Sequence, residues 1–533
     1  MTYSWLKYFP HEEPREEQIR LINFCIESFE KKRFVVIEAG TGVGKSAVGL
    51  TVARYMKAKH GFSSYFTTTQ KILQEQYLQD FGSFGMCSIK SASNYRCSFK
   101  KNQTCSESQK ELKIEPKGSR FWKSCVMNCA YKKDKAKFIE SSLGVTNFPY
   151  LITESNLSGG IKPKELLVID EAHNVESELS KFVEVSVSAR FAKQFFKTGF
   201  EFPRTKAKTY SWIKNTYAPK IKAKLKAMES GLEKFNISEA SLKEFSKITG
   251  QIDLMRSHLS KLSHFVEKYD SNTWLFEFED TGSSIKGDRF YFKPIDVSSY
   301  AESLLYRLGT KVLLMSATIL NHDAFRESIG IPTQDSACVR ISSPFPTQNR
   351  PIIYSPIGYM SKKYIDKTLP VMIKAIESIL AEHSHEKGII HTHSYYIANK
   401  IKNAIRSKRI LVHDSENRDA VLAKHKSSQK PTVLLSPSMT EGVDLKGEIS
   451  RFQVLCKVPY PFLGDKLVKK RMNRWQWWYP LQTAKTVVQS VGRSVRSSED
   501  HAVTYILDSN WSMFYRQNKN LFPEDFQECL IKA

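Results

Sequence analysis

No stretch of the 533-residue chain approaches the roughly 18 apolar residues that a membrane span requires, and its opening, Met1-Thr2-Tyr3-Ser4-Trp5, lacks the charged and apolar blocks of a secretory signal. A membrane partner is not expected, and the expected setting is cytoplasmic. Repeats at solenoid spacing and low-complexity tracts are missing as well, which excludes a repeat array. Paired Cys-x2-Cys knuckles are absent, although there are nine cysteines. Acidic residues are scarce: 55 Asp and Glu stand against 80 Lys and Arg, a formal charge of +25, and such an excess favours a polyanionic partner. At roughly 100 to 200 residues per domain, the length excludes a small disulfide scaffold and predicts about three or four domains or subdomains. With 41% hydrophobic and 25% charged residues, the composition is that of a folded protein.

What is present reads first as α/β. An amphipathic helical pattern over residues 15–29 leads into a short apolar strand over 33–39, a glycine-rich turn over 40–46 and a second helix over 47–57. Strand, phosphate-type loop and helix in that order announce a parallel α/β domain. Further apolar strands at 165–169 and 311–315 run into Asp170-Glu171-Ala172-His173 and Ser316-Ala317-Thr318. Acids and hydroxyls thus fall where parallel strands end, the usual place for chemistry in an open sheet. After Pro344-Phe345-Pro346 the alternation resumes, with strands at 388–392, 432–435 and 452–455, and predicts a second α/β domain.

Ala39-Gly40-Thr41-Gly42-Val43-Gly44-Lys45-Ser46 fits a Walker A loop. The glycines let backbone N–H groups close around phosphate, Lys45 reaches the β and γ phosphates, and the Ser46 hydroxyl can ligate Mg²⁺. Asp170 at a strand end can hold Mg²⁺ through water, and Glu171 beside it can orient the attacking water. Near the C-terminus, Gln489, Arg493 and Arg496 are spaced to share one helical face, so two guanidinium groups could meet a γ-phosphate. A basic solvated helix face is the alternative for that octapeptide. Two α/β domains with these motifs predict ATP bound in the cleft between them.

Cys97, Cys105, Cys125 and Cys129 crowd one insert, with Cys87 ahead of them. Spacing alone leaves zinc, an iron-sulfur cluster and plain buried thiols open. A second insert, over 186–272, is rich in Lys and helically periodic. Within it Tyr210, Trp212 and Tyr217 alternate with lysines, as either a stacking platform for single-stranded nucleic acid or core aromatics on a solvated helix. Trp475, Trp477 and Trp478 read as core.

The motifs Walker A, Asp-Glu-Ala-His, Ser-Ala-Thr, Glu441-Gly442-Val443-Asp444 and Gln489 to Arg496 stand in the order of superfamily 2 helicases, and the chain resembles the XPD/DinG group of iron-sulfur DNA helicases. Phe9-Pro10, Arg15 and Gln18 resemble the adenine-side motif. Ser93-Asn94-Tyr95-Arg96-Cys97 and Cys129-Ala130-Tyr131 resemble the first and last cluster-ligand signatures. The resemblance implies two RecA-like motor domains: domain 1 over 1–85, 146–185 and 273–343, a cluster insert over 86–145, a helical arch over 186–272 and domain 2 over 344–533. It implies ATP and Mg²⁺ held by the loop from Gly40 to Ser46 with Asp170, Glu441 and Asp444 at the cleft, and catalysis by Lys45, Asp170, Glu171, Gln489, Arg493 and Arg496. It further implies a 4Fe-4S cluster on Cys97, Cys105, Cys125 and Cys129, with Cys87 not a ligand. The implied activity is a monomeric helicase moving 5′ to 3′ on single-stranded DNA and opening forked or tailed duplex DNA. An RNA helicase of the same superfamily and a non-catalytic nucleic-acid-binding scaffold are the rivals.

Overall fold

A computed structural model describes residues 3–112, 115–195, 203–233, 242–280, 288–414, 416–438, 445, 447–495 and 497–532. In chain order the first region supplies β1 (Phe34–Ala39), β2 (Ser64–Thr68), β3 (Met86–Ser88), β4 (Leu143–Asn147), β5 (Lys164–Asp170), β6 (Val185–Ser188), β7 (Trp274–Glu279), β8 (Arg289–Pro294), β9 (Gly309–Ser316) and β10 (Ser336–Ile341). Seven of these form one sheet in the order β10-β1-β9-β5-β2-β4-β3, parallel throughout. Strands buried on both faces need continuous apolar runs, and β1 is buried at all six positions. Alternate residues serve opposite cores. Val35 and Ile37 face the helices Glu16–Lys31 and Lys45–His60, while Phe34 and Val36 face the other layer.

The second region supplies β11 (Ile352–Gly358), β12 (Gly388–His391), β13 (Ile410–Val412), β14 (Val433–Ser436), β15 (Phe452–Leu455), β16 (Val503–Asp508) and β17 (Leu530–Lys532). They make another all-parallel sheet, β13-β14-β12-β15-β16-β11-β17. The architecture is two RecA-like α/β units, as the motif order implied.

The cysteine-bearing insert leaves the first sheet after β3 and returns as β4, its neighbour in the sheet. Three short helices, Cys105–Leu112, Arg120–Met127 and Ala130–Glu140, make up most of it. The second insert is helical over Lys206–Trp212, Ala218–Glu233 and Leu242–Lys268. It stands on an antiparallel sheet, β6-β8-β7, which helical periodicity did not reveal. Tyr131, Ile213, Met255 and Trp274 share one continuous core with β5 and β9, so neither insert is a separate globule. Among the described residues no helix is long and apolar enough to cross a membrane.

Candidate nucleotide site and cysteine centre

The phosphate-type loop connects the C-terminal end of β1 to the helix Lys45–His60. Gly42 and Gly44 take φ of 87° and 82°, backbone that a side chain would strain. The loop is held from several directions. Lys45 Nζ donates to the Ala39 carbonyl at 3.0 Å, Ser343 Oγ donates to the Thr41 carbonyl at 2.9 Å, and Arg15 donates to the Gly42 carbonyl. Gln18 accepts from the Arg15 amide through its Oε1 at 2.9 Å and presents its amide nitrogen to Gly44, where a Cβ would come within 2.4 Å. Arg15 and Gln18, expected on the adenine side, here brace the loop backbone. A Cβ on Gly42 would lie 1.9 Å from the Phe345 ring, so the segment leaving the first sheet rests directly on the loop.

Asp170 ends β5 and is buried. Its Oδ1 accepts from the Glu171 amide at 2.9 Å and its Oδ2 from the Tyr77 hydroxyl at 3.0 Å. Burial, followed by the adjacent Glu171 charge, pushes its carboxyl up to about 6. Glu171 itself has φ of 53°, a conformation that costs a non-glycine residue on the order of 1–3 kcal/mol and often marks a working site. From it a polar chain crosses the molecule. Glu171 Oε2 lies 3.4 Å from His173 Nδ1, which is joined to Ser316 Oγ at 2.8 Å. The Thr318 amide donates to Ser316 Oγ at 3.1 Å, and Gln489 Nε2 donates to Thr318 Oγ1 at 3.1 Å. Gln489 belongs to the helix Trp478–Val491 of the second unit, so Glu171, just beyond β5, is linked to that unit.

Both units line one cleft of about 1250 Å³. From the first come Gly40, Thr41, Gly42, Gly44, Lys45, Ser46, Asp170 and Glu171; from the second come Gln489, Arg493, Arg451 and Lys426. Val43, the remaining loop residue, is buried in the core behind it. The sequence placed Arg493 on a helical face, but the helix Trp478–Val491 stops at Gly492, and Arg493 sits on the turn beyond it, reaching the cleft from there. Arg496, Glu441 and Asp444 lie outside the described residues. Sequence reasoning missed Phe345 as a cleft-lining group and Tyr77 as the buried partner of Asp170 behind it. A lone aromatic in a helix or in an irregular segment carries no local signal of that kind.

The four clustered cysteines are brought together from separate turns and helices, and all are buried. Cys105 Sγ is 3.5 Å from Cys129 Sγ, and Cys125 lies beside Cys97. Burial pushes the Cys105 thiol up to about 12, with Cys129 adding to the effect, and burial also raises Cys125. At Cys97 burial is outweighed by hydrogen bonds from Ser108 and from the Lys100 amide at 3.3 Å, which leave that thiol below its ordinary value. Among the described residues no three His, Cys, Asp or Glu side chains are grouped to enclose a single metal ion. Cys87 is on β3, next to the Gly85 carbonyl and half-exposed.

The aromatics of the second insert turn inward. Tyr210 stacks on Tyr269 with centroids 3.9 Å apart, and Trp212 stacks on the buried Tyr217 at 4.6 Å. They therefore serve as core, and an open stacking platform is not formed there. Trp475 and Trp478 are also buried, and the indole nitrogens of Trp475 and Trp477 both donate to Glu327 of the first unit, at 2.8 and 3.1 Å.

A parallel-sheet pair with a phosphate loop on one member and an arginine-bearing turn on the other is the arrangement of a two-domain nucleotide site. Residues 376–529 match the family described as "Helicase C-terminal domain", and residues 11–202 match "Type III restriction enzyme, res subunit". Over 237 residues the chain is 27% identical to the ATP-dependent DNA helicase DinG of Photobacterium profundum, a stretch covering 40% of this chain and 34% of that one. It is 20% identical to the ATP-dependent DNA helicase YoaA of Escherichia coli, covering 95% and 93%. An XPD helicase structure matches the fold with a TM-score of 0.65 at 16% identity, over 98% of this chain and all of that one. In sequence and in fold the chain is thus similar to XPD/DinG-like helicases of superfamily 2.

Proposed function

We propose that the chain is an ATP-driven, monomeric cytoplasmic motor that travels 5′ to 3′ along single-stranded DNA and opens forked or tailed duplexes. The observation that carries this reading is the composite cleft, in which the phosphate loop and the acids of β5 face Gln489 and Arg493 of the other unit. Lys45 grips the β and γ phosphates, Glu171 orients water for in-line attack, and Arg493 neutralises charge that develops on the γ-phosphoryl oxygens. Ser46 and Asp170 are the residues that would hold Mg²⁺, and the ion would supply positive charge to offset that of the phosphates. By the resemblance alone, Glu441, Asp444 and Arg496 would also serve the nucleotide; they lie outside the described residues. The polar chain from Glu171 through His173, Ser316 and Thr318 to Gln489 lets the state of the γ-phosphate bias how the two units sit, and that bias moves the strand.

The cysteine insert is the proposed place where the duplex parts. Two thiol pairs, Cys105 with Cys129 and Cys97 with Cys125, come together within one insert, and four thiolates are the donor set of an iron-sulfur centre. Cys97, Cys105, Cys125 and Cys129 would hold a 4Fe-4S cluster, which when bound pins short helices that own little apolar core.

The test is ATP hydrolysis with single-stranded DNA or RNA, together with unwinding of duplexes carrying 5′ or 3′ tails. DNA-stimulated hydrolysis is expected, lost by at least about 100-fold in Lys45→Ala, with unwinding confined to 5′-tailed substrates. Hydrolysis at the wild-type rate in that variant would sink the assignment. Anaerobic protein should be brown and contain iron; colourless, zinc-loaded protein would remove the cluster.

A further inference from the structure

We propose that Tyr77 is a positioning residue of the divalent-ion site, passing the hydrogen bond of the Ser46 hydroxyl on to the Asp170 carboxylate. This rests on the nucleotide reading above. Tyr77 lies on the helix Lys71–Phe81, behind β2, and is buried. Its ring packs on Phe66 and Phe81 with centroids 5.8 and 5.7 Å away, contacts that a phenylalanine would make equally well. The hydroxyl is therefore the part that packing does not explain. A buried hydroxyl requires partners, and this one has found the two side chains assigned to the ion: Asp170 Oδ2 accepts from it at 3.0 Å, and the Ser46 hydroxyl lies beside it.

The assignment of protons gives the arrangement its use. To ligate a cation, Ser46 must offer a lone pair and send its proton elsewhere. The phenol oxygen accepts that proton's hydrogen bond, and the phenol's own proton goes to Asp170 Oδ2. Asp170 Oδ1 is meanwhile taken by the Glu171 amide at 2.9 Å. With both carboxylate oxygens anchored, Asp170 is fixed in rotation and its remaining lone pairs face the cleft before any ion arrives. Partners of this kind set affinity: removing one typically costs about 10-fold or more in metal binding.

The experiment uses Tyr77→Phe in the full chain, with Mn²⁺ as probe. Mn²⁺ binding to the protein with ADP is titrated by electron paramagnetic resonance, alongside ADP affinity in chelator and thermal melting. The expected result is Mn²⁺ affinity weakened about 10-fold, with metal-free ADP affinity and melting temperature unchanged. Equal Mn²⁺ affinity in variant and wild type overturns the role of Tyr77 and leaves the nucleotide reading standing. An equal loss of metal-free ADP affinity also overturns it, since the hydroxyl would then be supporting the loop as a whole. Wild-type protein that binds no Mn²⁺ with ADP overturns both.

Discussion

Two parallel sheets of seven strands each place an aspartate at a strand end, Asp170 on β5 and Asp508 on β16, and use them in opposite ways. Asp508 is saturated by its surroundings: Oδ1 accepts from the Met360 and Asn510 amides at 3.2 and 3.0 Å and from the Asn510 side chain at 2.8 Å, and Oδ2 accepts from the Val458 amide at 3.0 Å. It ties three loops together. Asp170 has one backbone donor and one phenol, and it lines the cleft. The count and kind of donors, more than the position at a strand end, separate a staple from a working acid. Both units bring charge of each sign to the same space: Lys45, Glu171 and Arg340 from the first, and Arg493, Arg451, Asp500 and Asp525 from the second.

The largest expected effect comes from removing the second sheet's contribution. Arg493→Ala should lower the rate of ATP hydrolysis by at least about 100-fold while nucleotide affinity changes little, and lysine should not restore it, because the guanidinium fork is what meets phosphate. Steady-state hydrolysis with a parallel nucleotide titration checks this, and an unchanged rate would place Arg493 outside the reaction. Next comes the direct contrast of the two acids. Asp508→Asn should cost about 2 kcal/mol of stability in denaturant melts, since the amide nitrogen cannot accept from backbone N–H groups. Asp170→Asn should keep the melt and lose hydrolysis. The reverse pattern would refute the donor-count argument.

The smallest effect concerns the base of β5. Lys164 is buried there with its ammonium 4.3 Å from the Tyr65 ring centroid, and burial lowers its pKa from 10.5 to about 8. Between those values the unfolded chain binds more protons, so this residue makes stability rise with pH; below about pH 8 its penalty is fully present. Wild-type protein should gain about 1–2 kcal/mol relative to Lys164→Met between pH 8 and 10. Denaturant melts of the pair at those two pH values measure it, and parallel curves would dismiss the effect.

Much of this was legible in the sequence because local chemistry constrained it. The phosphate loop needs glycines at positive φ next to a strand and a helix, and Asp170 ends an apolar run, so both could be read without a fold. The grouping of four cysteines without Cys87 was legible from resemblance, whereas spacing alone left it open. Other features depended on distant partners. Strand β6 finds its neighbour β8 about 100 residues later, so no local pattern marks it. The inward turn of Tyr210 and Trp212 needed Tyr269 and Tyr217 to stack on. Arg493 falls just beyond the end of its helix at Gly492, a boundary that the three-residue spacing of the arginines obscured.

Phe345 gives the cleft a mechanical property. Its ring sits where a side chain on Gly42 would be, and it packs in one small cluster with Val495 and Ala502, two residues beyond Arg493 and nine beyond it. Phosphate loop and arginine turn therefore share a common wall one aromatic ring thick, and that wall is also the start of the segment joining the two sheets. A ring in this place ties the phosphate loop to the residues that follow Arg493. A substitution that trims Phe345 changes the size of the site without touching any residue that meets phosphate.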